Sequence, residues 1–228
     1  WHGGWCWDGV LANLREHGHT GEAPTMPGHH PGDNRAGITM THYVDALESV
    51  LKKQTQPVVL VGHSSAGFLL QQAAPRVPDK IRHLIFVNAF VLPDGESQFD
   101  HVPPEASAGM TAAAQATPDL SVPVIEDFVR HALTQDASPE VQDQLIARLV
   151  PQPLTLFTTP VDAKAFGPLK VQKSYLFCRD DLSLPPGGYQ AMAQRLGDHR
   201  YFEMPGSHET LFVNPQALAL KLIEIVGS

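Results

Sequence analysis

Short runs rich in apolar residues alternate with stretches of helical periodicity along most of this chain. The runs are bounded by turn residues and predict buried strands at 57–61, 82–88, 172–178 and 200–204. Apolar positions three and four residues apart predict helices at 5–17, 39–53, 68–74, 188–196 and 215–226. The alternation predicts an α/β fold, with a mostly parallel sheet covered by helices on both faces.

The pattern changes between residues 93 and 168, where Pro, Ala and Ser are frequent and strand-like runs are few. Helices are plausible there at 124–133 and 139–149. We interpret 93–168 as a helical cap inserted into an α/β core, which would consist of residues 1–92 and 169–228. The cap should cover the pocket without joining the sheet.

Composition narrows the class of protein. The chain has 228 residues, of which 43% are hydrophobic and 18% charged, as in an ordinary globular domain. A net charge of −8 without a basic cluster argues against nucleic-acid binding. No apolar run approaches the ~20 residues of a membrane span. The partner that fits best is a small molecule, and a homodimer is compatible with the sequence.

Cysteine and histidine positions give no metal or disulfide pattern. Cys6 and Cys178 cannot form a disulfide framework, and we expect both in the core. The loop 28–32 contains two His but no evident third ligand, so neither a metal nor another cofactor is predicted. The chain starts at Trp1 and not at Met, which suggests a clipped N-terminus that could have carried a signal peptide. Our default location is cytoplasmic.

The strongest local motif lies where the first predicted strand meets a helix. The sequence VVLVGHSSAGF places Ser64 in a tight turn, with Gly62 and Ala66 as small residues two positions away on either side. A serine nucleophile in such a turn is strained and exposed at the carboxyl edge of the sheet, so bulky neighbours would clash. The usual pattern is G-x-S-x-G, and Ala66 followed by Gly67 is a mild departure. A Ser-rich turn without chemistry is the alternative.

Two later loops supply the partners that a serine nucleophile needs. His208 follows the last predicted strand, in a loop that should lie beside Ser64, although a surface histidine is the alternative. The preceding strand ends in the sequence CRDD, which offers Asp180 and Asp181. We favour Asp181 as the carboxylate that orients His208, and interpret Asp180 as a solvated charge.

Together these motifs resemble the plant methyl-ester esterase and hydroxynitrile lyase group of the α/β-hydrolases and its bacterial esterase relatives. The segments that carry the resemblance are WHGGWCW at the start, VGHS, CRDDLSLP and GSH. The resemblance implies a catalytic triad of Ser64, Asp181 and His208. It also implies that the backbone N–H of Ser65 is one oxyanion donor, and that the other donor lies upstream of Trp1.

Several residues are candidates for contact with the substrate. Trp1 and His2 could lie near the pocket mouth, and His63 precedes the nucleophile. Phe90 follows the strand that ends at Asn88 and could face the substrate or belong to the core. The expected activity is cleavage of a small, largely apolar carboxylic ester, including xenobiotic esters and carbamates, through an acyl-enzyme.

The residue after His208 separates this expectation from its alternatives. The lyases of the group carry a lysine there, which steadies the cyanide leaving group, whereas this chain has Glu209. A carboxylate would repel cyanide, so the sequence favours the esterase. A lyase, a cofactor-free oxygenase and a ligand-binding member with slow turnover remain as alternatives.

Overall fold

A parallel four-stranded sheet forms the centre of the computed structural model, which describes residues 1–228. Numbered in chain order over the whole molecule, its strands are β1 (Val58–His63), β2 (Ile81–Val87), β5 (Gln172–Cys178) and β6 (Arg200–Met204). They are hydrogen-bonded in the order β1-β2-β5-β6. All four strands were predicted from the sequence to within two residues at each end, and the predicted fold class is confirmed.

Helices cover both faces of this sheet, because each helix buries one apolar stripe. The helices of the core are α1 (Asp8–Glu16), α2 (Met40–Lys52), α3 (Ala66–Ala73), α8 (Gly188–Gln194), α9 (Thr210–Val213) and α10 (Pro215–Gly227). Apolar residues of α2, α3 and α8 pack on one face. Those of α1, α9 and α10 pack on the other. None of the helices combines the length and apolar composition that crossing a membrane would require.

Side-chain hydrogen bonds cap the starts of α2 and α10. At α2, Thr39 closes a capping box in which its backbone N–H donates to His42 Nδ1 over 3.1 Å. Asn214 accepts a hydrogen bond from the Ala217 N–H at the start of α10, with Pro215 in the first turn. These caps satisfy backbone donors that would otherwise lack partners.

Residues 93–168 contribute no strand to the central sheet. Their elements are α4 (Pro104–Gln115), β3 (Ser121–Val122), α5 (Glu126–Phe128), α6 (Pro139–Ile146), β4 (Gln152–Pro153) and α7 (Thr155–Thr158). A π-helical turn, Val129–Leu133, continues α5. Strands β3 and β4 pair antiparallel with each other. The segment builds an apolar cluster of its own, to which Trp1 also belongs.

Strand β1 differs from its prediction as a fully buried strand. The residues from Val58 to Val61 are only partly buried, whereas six of the seven residues of β2 are buried. The reason is position: β1 is an edge strand of the sheet and β2 is internal. The apolar run therefore identified a strand correctly but not its degree of burial.

Candidate active site

The turn between β1 and α3 holds Ser64 in a strained conformation. Its φ is +54°, in the left-handed region that non-glycine residues rarely adopt. The turn is held at both ends, since the Ser64 N–H donates to the Val87 carbonyl and the Phe90 N–H donates to the Ser64 carbonyl. Ser64 is thereby fixed at the carboxyl edge of the sheet and lines the main cavity.

Neighbouring glycines explain how the turn can be so tight. A Cβ on Gly67 would lie 2.2 Å from the Phe90 carbonyl oxygen, so α3 can pack this closely only with glycine there. A Cβ on Gly62 would lie 2.9 Å from the Leu70 side chain. At Ala66, by contrast, a methyl group is accommodated. In the G-x-S-x-G pattern the second glycine stands two residues after the serine. Here the residue that must be glycine is Gly67, three residues after Ser64, because the Phe90 backbone approaches the helix at that position.

His208 and Asp181 form a buried pair beside this turn. His208 Nδ1 lies 2.6 Å from Asp181 Oδ2, and both side chains are almost fully buried. An imidazole held through Nδ1 can present Nε2 to a nucleophile. His208 and Ser64 line the same cavity. No hydrogen bond joins Ser64 Oγ to His208 in this structure, and such bonds often tighten only when substrate binds.

The Asp181 carboxylate is saturated with hydrogen-bond donors. Oδ2 accepts from Asn88 Nδ2 over 2.6 Å in addition to His208. Oδ1 accepts from the Ser183 N–H over 2.8 Å and from Ser183 Oγ over 2.6 Å. Burial works to raise the pKa of Asp181, but the charge of His208 and these hydrogen bonds hold that pKa below its ordinary value. Asp181 therefore stays ionised at neutral pH.

Three residues around this pair were not identified from the sequence as site residues. Asn88 is completely buried, has a φ of +39°, and also accepts from the Cys178 N–H over 2.7 Å. Ser183 Oγ and the Tyr189 hydroxyl lie 2.6 Å apart, and each is 3.2 Å from His208 Nδ1. Of these three residues, only Asn88 had a feature in the sequence that could have indicated a site role: it stands at the end of a predicted strand, as site residues often do in this fold.

Asp180 has a more definite role than the solvated charge that the sequence suggested. It is exposed, but its carboxylate accepts from the Gly206 N–H over 2.7 Å. It therefore ties the acid loop to the loop that carries His208. It has no contact with the His208 ring, in keeping with the preference for Asp181.

His63 supports the histidine loop from the other side. Its Nε2 donates to the His208 backbone carbonyl over 2.9 Å, and the two ring centroids are 4.5 Å apart. Burial lowers the pKa of His63 to about 3, with the charge of His208 as a further cause, so His63 is neutral. It also lines the cavity, as a substrate-contacting residue would.

The carboxyl group of Glu209 is in a different environment from that of Asp181. Its side chain is 1% exposed, and Oε1 lies 3.3 Å from His2 Nε2. Oε2 has no hydrogen-bond partner. Burial raises the pKa of Glu209 to about 7, despite the opposing charge of His208. The argument that Glu209 would repel cyanide assumed an ionised carboxylate. It therefore applies in full only well above pH 7, where most of the Glu209 carboxyl groups are ionised.

The charge of both carboxylates acts on His208. Burial alone would lower the pKa of His208, but Asp181, through its charge and hydrogen bond, and then Glu209 bring it above the ordinary value. His208 is therefore a stronger base than a free histidine.

The other predicted contact residues all line the same cavity. Trp1 is buried, and its Nε1 donates to the Val122 carbonyl over 3.0 Å, which ties the start of the chain to β3. Phe90 is 4% exposed and belongs to the core cluster as well as to the cavity wall. Ser65 directs its hydroxyl to Gln98 Oε1 over 2.8 Å, and its backbone N–H lies at the start of α3.

The cavity has a volume of about 1120 Å³, and 31 of its 54 lining residues are hydrophobic. Its lining residues range from Ser64 and His208 to the edge strand β1, so only part of the cavity surrounds Ser64. Apolar side chains from residues 93–168, including Phe99, Met110 and Phe157, close it on one side. Such a lining fits an apolar small molecule with few polar anchors.

A metal ion could be held by one group of side chains in this molecule. A nitrogen of His63, a nitrogen of His208 and an oxygen of Glu209 lie within 4.8 Å of one another. However, His63 Nε2 and His208 Nδ1 already have hydrogen-bond partners. A metal on the remaining His208 nitrogen would occupy the atom that proton transfer needs.

Comparisons with known proteins agree with this architecture. The model of the alpha/beta hydrolase family matches residues 1–221. The chain is 31% identical to a carbendazim-hydrolysing esterase of Nocardioides sp. over 97% of this chain and 94% of that protein. It is 28% identical to methylesterase 2 of Arabidopsis thaliana, over 100% and 93% of the two chains.

The solved structure of an extracellular alpha/beta-hydrolase from a Paenibacillus species is also similar. Its TM-score is 0.93 at 26% identity, covering 99% of this chain and 95% of that one. That protein is described as sharing structural and functional homology with tobacco salicylic acid binding protein 2. The predicted resemblance to the plant methylesterases and bacterial esterases is therefore confirmed. The chain belongs to the alpha/beta hydrolase family.

Proposed function

We propose that this protein is a serine esterase that cleaves small, largely apolar carboxylic esters through an acyl-enzyme. The observation that carries the proposal is the buried His208–Asp181 pair in the same cavity as the strained Ser64. This arrangement combines an activated nucleophile, a base and an orienting carboxylate.

Acylation would begin with attack of Ser64 Oγ on the ester carbonyl carbon. His208 takes the hydroxyl proton through Nε2 and passes it to the departing alcohol oxygen. Asp181 stabilises the imidazolium that forms in between. The Ser65 N–H, at the start of α3, is one donor to the developing oxyanion.

Deacylation would repeat the same steps with water as the nucleophile. His208 removes a proton from water, the hydroxide attacks the acyl carbonyl, and the proton returns to Ser64 Oγ as the carboxylic acid leaves. A neutral His208 is required at both stages. The saturated environment of Asp181 keeps the imidazole in the tautomer that both stages need.

Residues 93–168 would act in this enzyme as a cap over the core formed by 1–92 and 169–228. Two contacts support this role. The Glu209 N–H donates to the Leu133 carbonyl over 3.0 Å, so the cap is bonded to the segment after the catalytic histidine. Apolar cap side chains line the cavity and would contact the acyl or alcohol group. Carbamates and other xenobiotic esters are included in the proposed range.

Hydrolysis of p-nitrophenyl acetate tests the proposal directly. The wild type should release p-nitrophenol, and Ser64→Ala should lower the rate by several orders of magnitude, because no acyl-enzyme can form. Ser49→Ala, at an exposed position of α2, is the matched control and should have wild-type activity. Equal rates for wild type and Ser64→Ala would refute the proposal. A panel of methyl esters and carbendazim would then define the substrate range.

A lyase on the same scaffold is the second candidate. Cyanide leaves as an anion and needs a fixed cation nearby, whereas this position holds Glu209. The enzyme should release no cyanide from mandelonitrile above the rates of buffer and of Ser64→Ala. Cyanide release that depends on Ser64, without ester hydrolysis, would reverse the choice. Tight binding of an ester without turnover would instead favour a ligand-binding member.

A further inference from the structure

One buried acceptor in the cavity has no role in the chemistry proposed above. Glu209 Oε2 is buried without a hydrogen-bond partner, in a side chain that is 1% exposed. A buried polar atom without a hydrogen-bond partner destabilises the site, and a ligand that supplies the partner removes that cost. The Asp181 carboxylate, which is hydrogen-bonded to His208, shows that this site can provide a carboxylate with four hydrogen bonds.

The position of the Glu209 carboxylate is fixed by its backbone. The Glu209 N–H donates to the Leu133 carbonyl, and the Glu209 carbonyl accepts from the Phe212 and Val213 N–H groups. His2 Nε2 lies 3.3 Å from Oε1 and also lacks a well-formed hydrogen bond, and nitrogens of His63 and His208 lie within 4.8 Å of a Glu209 carboxyl oxygen. Both residues line the cavity that holds Ser64 and His208.

We propose that Glu209 is a specificity-determining residue that accepts a hydrogen bond from an N–H group of the substrate. The substrate class is then an apolar ester with an N–H donor near its ester group, as in carbamates and esters of N-heteroaromatic acids. This inference rests on the proposed esterase function for the identity of the ligand as a substrate.

An N–H donor fits this position better than an acceptor does. Glu209 in its ionised form can only accept hydrogen bonds, and His208 and His63 are both held in place by other contacts. A site built around an unpaired acceptor rejects an analogue that lacks the donor, because the acceptor then stays buried and unpaired. The apolar walls would contact the rest of the ring system.

Two shape-matched fragments test the site independently of catalysis. Indole carries an N–H where benzofuran carries an oxygen, and both are free to orient in the cavity. By NMR titration at pH 8, where Glu209 is ionised, the wild type should bind indole about tenfold more tightly than benzofuran. Glu209→Met should abolish the preference, and Glu209→Gln, which keeps an acceptor oxygen, should retain most of it.

Glu203→Met, at an exposed position on β6, is the matched control and should behave as wild type. Equal or undetectable binding of both fragments by the wild type would overturn the proposal, as would a preference that persists in Glu209→Met. The preference for the N–H compound should then also appear in catalysis. We expect kcat/KM of the wild type to be about tenfold higher for methyl indole-2-carboxylate than for methyl benzofuran-2-carboxylate. Fragment preference without hydrolysis of p-nitrophenyl acetate or of either indole or benzofuran ester would refute the esterase function while leaving the acceptor site intact.

Discussion

Two carboxylates, those of Asp181 and Glu209, act on His208, and their environments are opposite. Asp181 is 8% exposed and accepts four hydrogen bonds, from His208, Asn88 and Ser183. Glu209 is 1% exposed, and its carboxylate has no hydrogen bond and one ion-pair partner, His2, at 3.3 Å. The pKa of Asp181 lies below its ordinary value, whereas that of Glu209 is raised to about 7.

The difference shows that burial alone does not decide which carboxylate stays ionised, because the charge of His208 acts to lower the pKa of both groups and hydrogen bonds lower only that of Asp181. Burial acts to raise the pKa of both groups. Only Asp181 has donors that offset it. One carboxylate is therefore suited to hold a proton-transferring imidazole in place, and the other is free to respond to pH or to a ligand.

Removal of the saturated carboxylate should have the largest effect on activity. Asp181→Asn places an amide where His208 needs an acceptor, which favours the wrong imidazole tautomer. Turnover of p-nitrophenyl acetate should fall by up to ~10⁴-fold, as in the related protease triad. Steady-state kcat measures this directly.

Asp180→Asn is the matched control for that substitution. The new amide oxygen can still accept from the Gly206 N–H, so the loop contact survives and kcat should change little. If Asp180→Asn lost activity and Asp181→Asn kept it, the assignment of the acid would be wrong.

Substitution of Asn88 should have the next largest effect, because Asn88 is one of the donors that Asp181 has and Glu209 lacks. Asn88→Leu removes a hydrogen bond from Asp181 Oδ2 and leaves the Cys178 N–H unpaired. We expect kcat to fall on the order of tenfold and the free energy of unfolding to fall by about 1–3 kcal/mol. Urea denaturation and ester hydrolysis give the two readouts.

Asn88→Asp separates the two roles of that side chain. It keeps an acceptor for Cys178 but sets a second carboxylate against Asp181. Like charges raise a pKa, so activity should become more sensitive to acid than in the wild type. Wild-type kcat in both variants would show that Asp181 does not depend on Asn88.

The comparison also shows what sequence could and could not reveal. Ser64, Asp181 and His208 each follow a strand that a local apolar run predicts, so parallel strand order alone brings them to one edge. Asn88 also follows a strand, but its partners are 90 and 93 residues away in the chain. No local pattern encodes such contacts.

Two further features were beyond the reach of local patterns. Glu209 was interpreted from its charge, whereas its burial, and therefore its raised pKa, depends on contacts between segments distant in the chain, such as the bond from the Glu209 N–H to the Leu133 carbonyl. Helix α4 was missed because its residues are mostly small and give no clear apolar stripe; only Ala114 is buried. The division into core and cap at residues 93 and 168 stays a prediction.

Glu209 should make stability depend on pH, in a direction opposite to that of a paired carboxylate. Its pKa is raised from 4.5 to about 7 in the folded protein, so its contribution is present below the unfolded pKa and lost as pH rises through 7. At about 1.4 kcal/mol per unit, the loss is at most roughly 3 kcal/mol.

Glu209→Gln should therefore become more stable relative to wild type between pH 5 and pH 8. Urea midpoints at both pH values measure the difference. Glu203→Gln, at an exposed position on β6, should follow the wild type. Parallel stability profiles for wild type and Glu209→Gln would mean that Glu209 titrates normally.

The smallest effect should be a shift in the acid limb of the activity profile. His208 must be neutral to act as a base, and its pKa is raised by Asp181 and then by Glu209 against the effect of burial. The wild-type limb in kcat/KM should therefore lie above the ordinary value of 6.5. Because Glu209 titrates in the same range, the limb should also be broader than that of a single group.

Glu209→Gln removes one of the two negative charges that favour the imidazolium. The acid limb should then move to lower pH and sharpen to a one-proton curve. The profile can be measured with p-nitrophenyl acetate between pH 5 and 9 at the isosbestic wavelength of the product. A limb that stayed in place would mean that Glu209 is already neutral wherever His208 titrates, so that Asp181 alone sets the basicity of the imidazole.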